Sequence, residues 1–221
     1  MIRPGLFIYI FDTNPICMKT FIPFLFLIPF QAFSQARTAE ELRAQNLKKY
    51  SLESAEINYT VTGDAEGEEV MIFTDYGWTS LRQQTMTFEL YGITRTQDIY
   101  EITDGDFVYR LNPEDSTYKV RKDVKWSQQA SYKTLAQLSE AILFAIGGTQ
   151  QGDSLLMDKK CQVWTFEGKA IQELWVWNGV VLKRKAKLGD KQILTTATEI
   201  KLDVSPNPII FTLPDYYNEQ K

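Results

Sequence analysis

The chain has 221 residues, 44% of them hydrophobic and 24% charged, with a formal net charge of −4. That suffices for one core of ordinary size and offers no basic face for phosphates, so a large modular machine, a disordered tail and a nucleic-acid binder are all poor readings. The sequence holds no histidine, which removes Ser-His-Asp and Cys-His catalysis and His-ligated zinc together. The N-terminus reads as an export signal. Lys19 after Met18 supplies a positive start, Phe21 to Phe30 an apolar stretch, and Ala32, Ser34 and Ala36 the small residues of a cleavage site. The stretch is well short of the roughly 20 residues that span a bilayer, and Pro23 and Pro29 interrupt it. Residues 1–35 are therefore expected to be a removed signal peptide, within which 1–17 reads as a start assigned too early. Cys17 precedes the apolar stretch, where a lipid anchor would need it after, and Cys161 is then the single cysteine of the mature chain. A buried inert thiol is the expectation there, not a disulfide or a nucleophile.

Thr38-Ala39-Glu40-Glu41 has the spacing of a capping box, and a short helix is expected from it to about Tyr50. From Ser54 to Val120 the period becomes two: Ile57, Tyr59 and Val61 alternate with polar residues, as do Met86, Phe88 and Leu90. Gly63-Asp64, Glu66-Gly67, Tyr76-Gly77, Gly92 and Asp104-Gly105 mark turns of an antiparallel meander. Between Ser131 and Ile146 a broadly apolar helix carries only Lys133 and Glu140 as charges and needs cover on several sides. Strands resume at Cys161 to Phe166, Ala170 to Trp177, Val180 to Lys187, Ile193 to Asp203 and Ile209 to Leu213, with a type I′ turn at Asn178-Gly179. In QELWVWNGVVLKRKAKLG, Trp175 and Trp177 share one face and Leu174 and Val176 the other, so both need covering, one of them by a helix. Lys183, Arg184, Lys185 and Lys187 read either as a lure for an anionic partner or, in preference, as a guard against edge pairing. The fold expected is α+β, a single domain over 36–221 with about 10–11 strands.

This order, with ITDGDFVYRLNPEDSTYKV (Ile102 to Val120) and the ending PNPIIFTLPDYY (Pro206 to Tyr217), resembles the LolA/LolB type of lipoprotein carrier and its RseB-like periplasmic relatives. The resemblance implies a strongly curved, unclosed antiparallel half-barrel whose mouth is plugged by helices, and a periplasmic protein of Gram-negative type. The chain departs from the carriers at MIFTDYGWTSLRQQ, where Asp75-Tyr76-Gly77 stands in place of the family's Arg-Pro pair. Arg82, on the next strand, is either a substitute for that arginine or an ordinary solvated residue.

A half-barrel can shelter an acyl chain in transit, relieving roughly 0.8 kcal/mol of exposure per methylene without any catalytic group. Candidate ligand-binding residues are Met71, Phe73, Met86, Phe88, Phe107 and Trp175 for the wall and Leu135, Leu138 and Ile142 for the plug; the competing reading of each is ordinary core. The expected function is a periplasmic binding or carrier protein for a lipid or lipoprotein acyl chain. The alternative is a non-catalytic envelope sensor or interaction module with the same fold and a filled core. No enzyme activity, cofactor, metal, nucleic-acid partner or stable membrane span is expected, and the chain reads as a monomer. The one carboxylate pair of note, Asp104 and Asp106 around Gly105, is expected to be a hairpin turn.

Overall fold

The computed structural model describes residues 38–123, 140 and 142–220. Twelve strands form one sheet: β1 Ala55–Gly63, β2 Ala65–Thr74, β3 Thr79–Leu90, β4 Ile93–Asp104, β5 Phe107–Asn112, β6 Thr117–Lys122, β7 Gly148–Leu156, β8 Lys159–Phe166, β9 Ile171–Trp177, β10 Val180–Leu188, β11 Lys191–Leu202 and β12 Asn218–Glu219. Their spatial order is β12-β6-β5-β4-β3-β2-β1-β11-β10-β9-β8-β7. Every neighbouring pair is antiparallel except β12 on β6, which is parallel. The result is the unclosed α+β half-barrel expected, with one strand more than the upper estimate.

A single ion pair reveals which face is hollow. Arg184 on β10 meets Glu69 on β2 at 2.9 Å, although β11 and β1 lie between their strands. Three ladder steps of about 4.8 Å would hold those backbones roughly 14 Å apart on a flat sheet, where side chains stand perpendicular to the surface. The sheet must curl this face inward for the two to touch. The concave face carries the main core, with Ala55, Ile57 and Phe73 fully buried beside Tyr59, Leu182 and Ala197.

At one end of the hollow, the N-terminal segment is clamped to the β2–β3 connection. Thr38 and Glu41 make the expected capping box, but the helix it starts, α1 (Ala39–Ala44), lasts under two turns. Gln45 is its C-cap and Asn46, at φ 58, ends it. Asp75, Tyr76 and Gly77 all take positive φ, forming a tight turn whose Tyr76 carbonyl accepts from the amides of both Lys49 and Tyr50. The Tyr50 ring then lies against Gly77 and 4.7 Å from the Phe73 ring, centroid to centroid. A glycine is required there, since a Cβ on Gly77 would fall 2.3 Å from the Tyr50 ring.

The convex face has its own core. Leu81, Ile102 and Leu111 are covered by Phe211, with Ile210, Leu213 and Tyr217 around it. This corrects the expected strand at Ile209 to Leu213, which is a 3-10 turn at Pro208–Phe211. Asn207 accepts from the Ile209 amide and Pro208 has no N–H to give a ladder, so the apolar run folds as a cap over the sheet instead of joining it. The turn expected at Glu66-Gly67 is likewise not there: Gly67 lies inside β2, where the β3 backbone passes so close that a Cβ would overlap the Thr85 carbonyl oxygen. No helix among the described residues is long and apolar enough to cross a membrane.

Candidate functional site

One row of residues runs in register across the concave face: Trp164, Leu174, Arg184, Thr195, Val61, Gly67 and Met86, each opposite the next. Of the helix expected between Ser131 and Ile146, residues 140 and 142–145 are described and are helical, and they pack against this row. Leu143 is buried with Trp164, Phe166, Leu174 and Val176, the ring of Phe144 stands edge-on 4.9 Å from Trp164, and Gln162 donates to Glu140 at 2.8 Å. The helical cover expected for one of the two faces is therefore present, over Leu174 and Val176 on the hollow side of the sheet.

The nominated wall residues fall into two groups. Met71, Phe73, Met86 and Phe88 share the concave face by strand alternation and register. Phe73 is fully buried core, Met71 packs against it, and Met86 and Phe88 form a second cluster with Val61, Ala65 and Ile193 nearer the opposite rim. Phe107 and Trp175 lie elsewhere. Phe107 is 43% exposed and shares the convex side with Tyr109, whose ring is 6.4 Å away. Trp175 is opposite Lys183, whose ammonium sits 4.0 Å over its ring, and its indole donates to Glu173. Of the nominated plug residues, Ile142 is half-buried at the helix end, while Leu135 and Leu138 lie outside the described residues.

Between these clusters the hollow holds a polar centre. Glu69 is 5% exposed, and its Oε2 accepts from Arg82 Nη2 at 2.8 Å and from Arg184 Nη2 at 2.9 Å. Arg82 also donates to Gln84 and reaches Glu101 at 3.4 Å; Arg184 reaches the Thr195 hydroxyl at 3.3 Å. Burial pushes the Glu69 carboxyl up, but the hydrogen bond from Arg82 and the charge of Arg184 outweigh it and hold the group below the usual carboxylate range. A recess of about 190 Å³ opens onto this cluster between Tyr50, Tyr59, Met71 and Val181. A larger apolar groove of about 570 Å³ runs beside the helix end, lined by Ala145, Ile146, Phe166, Ala170 and Ile171 with Lys169 at its edge.

Two expectations about charges are corrected here. Arg82 is not an ordinary solvated residue: most of its side chain is covered, and it points into the hollow with two carboxylate partners. The basic run of β10 is no edge guard either, because β10 lies between β9 and β11. Alternation splits that run, sending Arg184 to the hollow while Lys183 pairs with Glu173 on the other side. Glu69, Gln84 and Arg184 were missed as site residues. The available signal was phase: Glu69 sits in step with Ala65, Met71 and Phe73, and Gln84 in step with Met86 and Phe88. Asp104-Gly105-Asp106 is a hairpin turn as expected, with Asp106 accepting from the Ala39 amide at 2.7 Å.

No protein-family model matches the sequence, and no curated protein matches it in sequence. Solved structures similar to this chain include an uncharacterised conserved protein from Thermus thermophilus, at TM-score 0.48 and 9% identity over 82% of this chain and 99% of that one. LprF from Mycobacterium bovis is similar at TM-score 0.33 and 12% identity over 77% of this chain and 96% of its own. MucB is similar at TM-score 0.39 and 9% identity over 80% of this chain and 63% of MucB. At such scores and identities the likeness is one of chain arrangement, and nothing about ligand or activity follows from it.

Proposed function

We propose that this chain is an exported, non-catalytic binding protein of a Gram-negative type of envelope, which holds a lipid or a lipoprotein acyl chain on the concave face of its half-barrel. In this reading residues 1–35 direct export and are removed, and 36–221 act as one domain in the periplasm. The observation that carries the reading is the placement of the helical residues 142–145 on the hollow side of the sheet, with Met71, Met86 and Phe88 on the same face and an apolar groove of about 570 Å³ beside those helical residues. That volume lies within the roughly 300–1,000 Å³ of small-molecule sites. Burial of an acyl chain there would supply affinity at roughly 0.8 kcal/mol per methylene. Met71 and Met86 stand outside that groove on the same concave face, where an unbranched side chain can repack around ligands of different shape.

A second reading, an envelope sensor or interaction module, is favoured by a different observation: Ile57, Phe73 and Leu182 are fully buried, so part of the hollow is already filled. Native mass spectrometry of the protein recovered from the periplasm separates the two. The carrier reading expects adducts of lipid mass and saturable uptake of a fluorescent fatty acid. It also expects Ile171→Glu, a change at a groove residue 38% exposed, to weaken that uptake by about tenfold or more while the protein stays folded. A clean mass with no uptake would overturn it in favour of the module.

A further inference from the structure

We propose that Arg82 and Arg184 form an anion-binding subsite in the hollow, and that Glu69 occupies it as an internal stand-in which a ligand carboxylate or phosphate displaces. The geometry of the pairing carries the proposal. Two guanidinium groups converge on one carboxylate oxygen, Glu69 Oε2, at 2.8 and 2.9 Å. Glu101 adds only a long contact of 3.4 Å to Arg82, beyond the 2.7–2.9 Å of a strong charge-assisted bond. The cluster is balanced in charge, two guanidinium groups against two carboxylates, but unevenly bonded, since Arg184 has Glu69 as its one carboxylate partner among the described residues and shares that oxygen with Arg82. Arg82 Nε, moreover, is buried and meets no acceptor among the described residues. A buried donor without an acceptor is rare in a native fold, and it marks the position where an incoming oxygen gains a bond at no loss elsewhere.

The recess beside the cluster supplies the room. At about 190 Å³ it is too small for a whole lipid and large enough for a carboxylate or phosphate group, and Tyr50, Tyr59, Met71 and Val181 give it walls. Both arginines keep about a quarter of their side-chain surface open, 26% each, whereas Glu69 keeps 5%. The planar fork of arginine suits both carboxylate and phosphate, and the chain offers two forks. An arriving anion would bridge Arg82 Nε and the open side of Arg184, releasing Glu69 from one or both. Since the Arg184–Glu69 contact spans the hollow from β10 to β2, anion binding and the closure of the half-barrel become coupled.

The proposal rests on the binding-protein reading only for the apolar part of the ligand; the anionic group is assigned on its own. The test titrates the whole mature protein by calorimetry at low salt with dodecanoate, dodecanol and inorganic phosphate, for wild type, Glu69→Gln and Arg82→Lys. Dodecanoate is expected to bind about tenfold or more tighter than dodecanol, a preference that Glu69→Gln enlarges and Arg82→Lys shrinks. A purely structural cluster would not respond that way, because Glu69→Gln would then change stability alone. Equal affinity for the two dodecyl probes, or a preference that neither variant alters, overturns the subsite and leaves the apolar reading intact. Phosphate binding strengthened by Glu69→Gln with no binding of either dodecyl probe keeps the subsite and overturns lipid carriage. No binding of any probe overturns both.

Discussion

Gly77→Ala isolates the clamp between the N-terminal segment and the hollow. Two separable effects act at this position. Gly77 has φ +86, which an alanine adopts at a cost of about 1 kcal/mol. The new Cβ would also fall 2.3 Å from the Tyr50 ring, and the ring cannot retreat inward because Phe73, fully buried, stands 4.7 Å behind it. Pushing Tyr50 out forfeits an aromatic pair worth about 1 kcal/mol and part of its burial, about 1–2 kcal/mol more. The sum, about 3–4 kcal/mol, is to be measured by urea unfolding, as a fall in midpoint at constant slope. The decisive comparison is the same substitution in a Tyr50→Ala background, where only the backbone effect of about 1 kcal/mol should survive. Equal losses in the two backgrounds would refute the ring-displacement argument.

Three further outcomes are expected. The Glu69 carboxyl is held below its ordinary value of 4.5, so the stability it provides is complete above that value and drains away as pH falls through the lower folded one; Glu69→Gln should flatten that part of the acid unfolding curve, and superimposable curves would count against the pairing. Phe211→Ala should cost about 3 kcal/mol by thermal or urea unfolding, because its ring is 9% exposed over Leu81, Ile102 and Leu111; a loss below about 1 kcal/mol would show that the tail is not what covers them. Cys161 is fully buried and burial pushes its thiol up, so a chromogenic disulfide reagent should label it only when urea unfolds the chain; prompt labelling of the native protein would contradict this.

Where local chemistry decides the structure, the sequence was enough. The Thr38–Glu41 capping box, the Asn178-Gly179 turn and the alternation of β1 and β3 all stand as read. Two of the failures share one cause, which is that a partner far along the chain sets the outcome. Ile209-Ile210-Phe211 looks like a strand until Pro208 and the convex apolar patch turn it into a cap. The polar centre depends on distant partners in the same way, while β7 is a local case: GTQQGDSLL has no alternation, and the strand is an edge that owes its form to its hairpin neighbour β8 alone. Glu69 and Arg184 lie 115 positions apart, and nothing local reveals that curvature will join them.

Among the described strands, the ladder between β1 and β11 is the one seam that joins the two runs of hairpins. On one side β2 to β6 follow each other as neighbours, and on the other β7 to β11 do the same. The seam itself pairs Ala55 with Leu202 and so closes a loop of well over half the chain, the slowest kind of contact to reach from a random coil. Each run can assemble early, leaving β1 and β11 as bare edges waiting for one another. In a crowded refolding mixture a bare edge accepts the matching strand of any copy, so exchange of whole halves between molecules is the natural misassembly of this topology.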